Sequence, residues 1–470
     1  MAPLFRVFTI VLVVFSGLVS VPALADTVPT SQGQVTLSFA PVVKQTAPAV
    51  VNVYTSSVTK ERRISRFGND EFFRRFFGGE GFLGGPSKRR KQKSLGSGVI
   101  VEEDGYIITN NHVIKGGNDY RVVLSDKREF KAKLLLQDAK TDLAILKIDT
   151  KGEKLKSIKL GDSDELQVGD LVLAIGNPFG VGQTVTSGIV SALARSSVGV
   201  SSYQFFIQTD AAINPGNSGG ALVDMKGHLV GVNTAIYTRS GGSNGIGFAI
   251  PVNMVKSVIR SSRAGGKVVR PWVGAQLQEV SQDIASSVGL DRPRGAMIAR
   301  LNRKSPLAES GLKRGDIIVR LDGKMLDSAK EFTYRFATKA VGDDIEIIFR
   351  RKSKRYTATV SLIAPPETVP RNETVIGGSS PFSGLVVANA SPAVTAEMGL
   401  SDIQKGVIVI GLKRGLAARA GFKKGDVVVE VNDEPIRSVK SLVRIVRQGD
   451  GYWDISIRRR GRLRRMRFSH

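Results

Sequence analysis

The chain has 470 residues, with 68 lysines and arginines against 42 acids, and no cysteine. That length suits about three domains, and the missing cysteine excludes disulfides, thiol nucleophiles and cysteine metal sites. Neither a Walker motif nor a His-Glu-x-x-His pattern occurs, so ATP-driven and zinc-dependent chemistry lack support.

Arg6 precedes an apolar run from Val7 onward that ends at Pro22-Ala23-Leu24-Ala25. This pattern predicts a cleaved signal peptide over residues 1–25 and an exported product. A retained anchor is the alternative, because only one basic residue precedes the apolar core. No later run reaches the ~18 apolar residues that a spanning helix needs.

From about residue 38 to about residue 262, short runs rich in Val, Ile and Leu are punctuated by glycine. Such runs predict the strands of β-barrels rather than helices. Residues 57–93 interrupt the pattern with Phe72-Phe73-Arg74-Arg75-Phe76-Phe77 and Lys88-Arg89-Arg90-Lys91. A loop this long is commonly functional or disordered, and phenylalanines set among arginines call for something to cover them.

Within this region one serine, Ser218, sits in Asn214-Pro215-Gly216-Asn217-Ser218-Gly219-Gly220, ahead of an apolar strand-like run. Glycine opens backbone geometries that other residues avoid. The amides of Gly216 and Ser218, with Asn217, are therefore candidates for an oxyanion hole around a serine nucleophile. A Gly/Ser/Asn turn between strands is the plain alternative. A serine nucleophile needs a general base, and the chain has three histidines: His112, His228 and His470. His112 ends an apolar strand-like segment in a polar loop, whereas His228 reads as a hairpin tip. For the carboxylate that would orient the base, Asp142 opens an apolar strand, while Asp138 and Asp119 compete.

After about residue 265 a repeat appears. Ser305-Pro306-Leu307-Ala308 through Gly311 to Gly315-Asp316-Ile317-Ile318 recurs 110 residues later as Gly415-Leu416-Ala417-Ala418 through Gly421 to Gly425-Asp426-Val427-Val428. A repeat of that length means two copies of one domain. The pattern resembles PDZ domains, which bind an extended peptide as an added strand and hold its C-terminal carboxylate with backbone amides. By that resemblance Trp272, Val273, Gly274 and Ala275 form the carboxylate loop of the first copy. Ser383, Gly384, Leu385 and Val386 are a poorer candidate in the second, which would then serve assembly more than capture. Ala364-Pro365-Pro366 to Gly378-Ser379 reads as a linker. The net charge of +26 culminates in Arg458-Arg459-Arg460-Gly461-Arg462-Leu463-Arg464-Arg465. We read these residues as a solvated face; a weak, salt-sensitive attraction to anionic membranes follows from the charge. No nucleic-acid partner is expected of an exported protein.

Gly96-Ser97-Gly98, Thr109-Asn110-Asn111-His112-Val113, Thr141-Asp142-Leu143-Ala144, Gly216-Asn217-Ser218-Gly219-Gly220 and Gly245-Ile246-Gly247-Phe248-Ala249 together resemble the HtrA (Do-type) serine proteases over nearly the whole mature chain. The order His112, Asp142, Ser218 is also that of chymotrypsin-like enzymes. The resemblance implies a mostly β fold: a chymotrypsin-like double β-barrel, then two PDZ domains. It settles Asp142 as the third catalytic residue and implies a protease domain over 26–262, PDZ domains over 265–364 and 380–470, and a linker over 365–379. It places Ala212 where trypsin-like relatives carry the acid of the pocket floor. With Ile213, Ile246, Gly247 and Phe248, that implies an apolar specificity pocket. Further implications are a periplasmic location, unfolded or misfolded polypeptides as substrates, hydrophobic C-terminal peptides as ligands, and trimers or multiples of trimers held by the loop at 57–93. No cofactor or metal is expected. A chaperone or peptide-binding scaffold with little proteolysis is the second reading.

Overall fold

The computed structural model describes residues 38–57, 92–177, 182–195, 205–214, 216–236, 245–400, 406–449 and 451–469. The expected signal peptide and nearly all of the expected 57–93 loop lie outside these residues.

Val50–Ser57 (β1), Gln92–Glu102 (β2), Tyr106–Asn110 (β3), Asp119–Val123 (β4), Glu129–Asp138 (β5) and Leu143–Ile148 (β6) close a barrel in the order β1-β2-β3-β6-β5-β4. β5 shows the physics plainly. Ala132 and Leu136 point into the core while Lys131 and Lys133 stand in solvent, the two-residue period of a half-buried strand. A short helix, Asn111–Ile114 (α1), follows β3.

Leu171–Gly176 (β7), Thr184–Arg195 (β8), Phe206–Thr209 (β9), Ala221–Asp224 (β10), Leu229–Ile236 (β11) and Gly247–Pro251 (β12) close a second barrel, ordered β10-β11-β12-β9-β8-β7. Its core gathers Val172, Ala174, Val190, Ile207, Leu222 and Ala249. The helix Val252–Arg263 (α2) then buries Met254, Val255, Val258 and Ile259 and leads out of the barrel.

Two smaller sheets follow. Ala275–Glu279 (β13), Ala296–Leu301 (β14), Ile317–Leu321 (β15), Lys324–Met325 (β16), Asp344–Arg351 (β17) and Lys354–Ser361 (β18) run β13-β14-β15-β17-β18, covered by Ala329–Thr338 (α3). Ser328 caps that helix by accepting from the Glu331 amide. Thr374–Val375 (β19), Leu385–Asn389 (β20), Val407–Leu412 (β21), Val427–Val431 (β22), Glu434–Pro435 (β23), Tyr452–Arg459 (β24) and Arg462–Ser469 (β25) form the second sheet, with helices Pro392–Met398 (α4) and Val439–Gln448 (α5).

The repeated Gly-Asp has a clear cause. Asp316 and Asp426 are buried, and each accepts the backbone amide three residues before it, from Lys313 at 2.7 Å and Lys423 at 2.8 Å. Each also pairs with an arginine, Arg351 at 2.7 Å and Arg459 at 2.6 Å. The turn into β15 and β22 is thus fastened identically in both copies.

The expected linker differs from its reading. Thr374 and Val375 pair with Val387 and Val386, and Ile376 is buried in the core of the second sheet. Ala393 donates to Pro366 O at 3.2 Å and Asn389 to Arg371 O at 2.8 Å, so this segment is packed rather than free.

Both small domains touch the protease part. Phe205 stacks on Tyr334 of α3 with ring centroids 3.9 Å apart, and Arg335 pairs with Asp164 at 2.7 Å. Burial pushes the Tyr334 phenol above its ordinary range. Lys140 donates to Ala396 O in α4 at 2.5 Å. Burial, with the charge of Arg270, holds the Lys140 ammonium below its usual range against the pull of Asp138.

Candidate active site

Pairing of β3 with β6 sets Asn110 opposite Leu143, which brings the start of α1 beside the residue that precedes β6. Asp142 has φ 60°, a left-handed conformation in which its carbonyl and carboxylate both face α1. Its carbonyl accepts from the Asn111 amide and from Asn110 Nδ2, each at 3.0 Å. Its carboxylate accepts from the His112 amide at 3.0 Å and lies 2.7 Å from His112 Nδ1. With Nδ1–H turned to the carboxylate, Nε2 keeps the lone pair that a general base needs.

A third donor reaches Asp142 from the second barrel. Thr234, fully buried in β11, donates its hydroxyl to Asp142 Oδ2 at 2.8 Å. The Thr234 carbonyl accepts from Ser218 Oγ at 3.2 Å. One residue therefore touches both the serine and the aspartate, across the line where the barrels meet.

The serine turn is clamped from both sides. Ser97 of β2 donates its amide to Ser218 O at 2.8 Å, and Gly219 donates to Asn233 O of β11 at 2.8 Å. Gly219 has φ 85°, and a Cβ there would lie 2.1 Å from Ser97 O, so the clamp admits only glycine. The Ser97 hydroxyl donates to Gly216 O at 2.6 Å and accepts from the Asn177 amide at 2.8 Å. This pins the carbonyl of Gly216, whose φ of 101° no other residue adopts readily. The Asn217 amide donates to Asn214 O at 3.0 Å, which removes it from the expected oxyanion donors. Gly216 and Ser218 remain.

Among the competing residues, Asp138 pairs with Arg270 and accepts from Thr141 Oγ1 at 2.6 Å, tying the first barrel to the segment before the first small domain. Asp119 accepts from Ser56 Oγ at 3.2 Å. His228 lies 3.6 Å from Asp224 at the β10–β11 hairpin.

Around the expected pocket, Ile213 is buried, and a Cβ on Gly247 would meet Ile213 Cδ1 at 2.8 Å. The isoleucine thus fills the space that Gly247 leaves. Ala212 turns its carbonyl to Thr186 Oγ1 at 2.8 Å, and Ile246 is half-buried beside Gly247. Phe248 does not share this wall. Successive strand residues face opposite ways, and its ring packs on Phe206 at 6.0 Å.

The two small domains differ where a peptide terminus would bind. In the first, Trp272 donates to Ile363 O, whereas the Val273 and Gly274 amides have no acceptor among the described residues. Gly274 has φ 62° and crosses Ser305 so closely that a Cβ would stand 2.6 Å from Ser305 Cβ. β13 is an edge strand, open on the side away from β14. In the second, the amides of Ser383, Gly384 and Leu385 donate to Ser380 O, Ile376 O and Phe382 O. β19 also occupies the edge of β20 at Val386. The expected carboxylate loop at 383–386 is therefore closed by the chain itself.

Residues 96–232 match the trypsin-like peptidase domain family, and residues 271–362 and 408–452 each match a PDZ domain family. The chain is 40% identical over 423 residues to the probable periplasmic serine endoprotease DegP-like of Marinomonas sp., covering 87% of this chain and 88% of that protein. It is 39% identical over 452 residues to the periplasmic serine endoprotease DegP of Salmonella typhimurium, covering 92% of each. Among solved structures, the HtrA-type protease AlgW with decapeptide is 42% identical, with a TM-score of 0.51 over 70% of this chain and 99% of that one.

Proposed function

The chain belongs to the HtrA (Do-type) family of serine endoproteases, and from that premise we propose that Ser218, His112 and Asp142 carry out its peptide hydrolysis. The protein is a serine endopeptidase of protein quality control with two PDZ domains. The observation that carries the site assignment is the chain of contacts from His112 through Asp142 and Thr234 to Ser218. Ser218 Oγ leaves Thr234 O, gives its proton to His112 Nε2 and attacks the scissile carbonyl carbon. The Gly216 and Ser218 amides hold the resulting oxyanion. His112 then protonates the departing amine, and water repeats the sequence on the acyl-enzyme. Asp142 holds the imidazole tautomer throughout and offsets the charge of the imidazolium.

The apolar space around Ile213 and Gly247 suits Val, Ile, Leu or Ala before the scissile bond, with weak discrimination among them, since one methylene is worth ~1–3 kcal/mol. Peptide binding falls to the first PDZ domain, where the loop amides and the β13 edge are open. Hydrophobic C-terminal peptides would lie between β13 and α3, and α3 touches the protease part through Tyr334 and Arg335. That contact gives an occupied PDZ domain a direct route to the second barrel. Export by a cleaved signal peptide to the periplasm, the location named for the relatives, and assembly into trimers or their multiples complete the reading. Labelling with a fluorophosphonate tests it: the modified peptide should contain Ser218, and label elsewhere would displace the assignment.

A further inference from the structure

The 110-residue repeat sets Gly384 against Gly274, β20 against β13 and α5 against α3. Both glycines are left-handed, with φ 88° and 62°. The grooves that they head differ in one respect. The first is open along the edge of β13, whereas the corresponding edge of β20 already holds a strand.

That strand belongs to residues 371–376, which run antiparallel along β20. Asn389 donates to Arg371 O at 2.8 Å, Thr374 and Val375 pair with Val387 and Val386, and Ile376 donates to Leu385 O at 2.8 Å. Gly384 in turn donates to Ile376 O at 2.8 Å, whereas the equivalent amide of Gly274 has no acceptor among the described residues. The Ile376 side chain is 5% exposed, in a core with Phe382, Leu385, Leu442 and Ile445. An aliphatic residue thus sits under the loop with its carbonyl on the loop amide, as the last residue of a captured peptide would.

The fit is that of a substitute. Ile376 continues into Gly377 and Gly378, so it offers Gly384 only a neutral carbonyl. A free chain end offers a carboxylate, whose hydrogen bonds are about twice as strong. Exposed Lys413 and Arg414 adjoin Gly384 and suit that charge. Outside Ile376 the segment is held lightly. β19 is two residues long, and Arg371 pairs with the exposed acids Glu367, Glu373 and Glu397, contacts worth little in water. Upstream, Ala393 donates to Pro366 O at 3.2 Å and Asn389 Nδ2 to Pro370 O at 2.7 Å, which tethers the segment beside the groove.

We propose that the groove between β20 and α5 is a second, latent site for peptides ending in an aliphatic residue, held shut by residues 371–376, with Ile376 in the place of the ligand's last side chain. The tether keeps the segment at an effective concentration on the order of millimolar, so a peptide binds only in proportion to the open fraction.

The test uses the full chain carrying Ser218→Ala, which prevents cleavage, and Gly274→Ala, which blocks the first PDZ domain and makes the outcome independent of it. Binding of a fluorescent peptide ending in Val-Ile is followed by anisotropy. Adding Ile376→Ser removes the stand-in and should tighten binding at least about tenfold, since burial of an aliphatic side chain is worth that much or more. The same peptide with a C-terminal amide should bind about tenfold more weakly. Should Ile376→Ser fail to fold, Thr374→Pro/Val375→Pro serves instead, with thermal unfolding as the control. Successive strand residues turn their amides alternately to the neighbouring strand, so this pair removes a ladder bond without touching the core. A folded variant that binds no better than its parent would overturn the proposal and make β19 a structural strand alone. Equal gain for the amide and the free acid would overturn it too, since the loop amide would then take no part.

Discussion

Ser97→Ala tests the dependence of one barrel's catalytic turn on the other barrel. The Ser97 hydroxyl is buried; it donates to Gly216 O at 2.6 Å and accepts from the Asn177 amide at 2.8 Å. Alanine leaves a carbonyl and an N–H buried without partners, each costing about 1–3 kcal/mol. A water entering the vacated space would recover part of that, so unfolding free energy should fall by roughly 2–4 kcal/mol. The catalytic loss has a separate origin. Gly216 supplies one of the two amides assigned to the oxyanion, and its φ of 101° is held from the carbonyl side by Ser97. Losing one such donor costs about 10²–10³ in kcat. Steady-state hydrolysis of a peptide ester with valine before the scissile bond should therefore show kcat down about 10²-fold. KM should be nearly unchanged, because the subsites are untouched. Ser97→Ala with kcat within about threefold of the parent would refute the reasoning, and would leave Ser97 a purely structural link.

Thr234→Val removes one of three donors to a buried carboxylate without changing shape much, and should lower stability by about 1.5–3 kcal/mol; Thr234→Ser should stay near the parent in thermal unfolding. Gly274→Ala forces a side chain onto a φ of 62° and within 2.6 Å of Ser305 Cβ. It should abolish binding of a hydrophobic C-terminal peptide in calorimetry while hydrolysis of a small ester persists. Deleting residues 60–90 should shift the mass seen by light scattering from multiples of trimers toward trimers, and an unchanged mass would remove the loop from assembly.

Much of the site was legible because its residues lie in compact motifs. His112 and Ser218 stand out in their own local segments, whereas Asp142 is separated from Asp138 and Asp119 only by the HtrA resemblance. Short apolar runs punctuated by glycine show strands, but their division into two barrels also comes from the resemblance. Ser97 and Thr234 were not legible as parts of the site. Ser97 reaches a partner 119 positions away and Thr234 one 92 positions away, and neither contact leaves a local trace in the sequence. Asn217 was read as an oxyanion donor because its amide lies between two that qualify, yet Asn214 O takes it. Phe248 followed Gly247 into the pocket on adjacency, although alternation along a strand sends the two to opposite faces. The second carboxylate loop looked merely weaker than the first. Its closure depends on Thr374 and Val375, a two-residue strand inside a proline-rich stretch, too short to show any period.

The most direct test of the assignment is cleavage of unfolded β-casein by the mature chain, without ATP or added metal, beside Ser218→Ala and His112→Ala. Cleavage by the parent, with none by either variant, is the predicted result. Cleavage retained by Ser218→Ala would mean that another residue is the nucleophile. A parent inert even with a hydrophobic C-terminal peptide present would contradict the enzyme reading and favour a chaperone or scaffold.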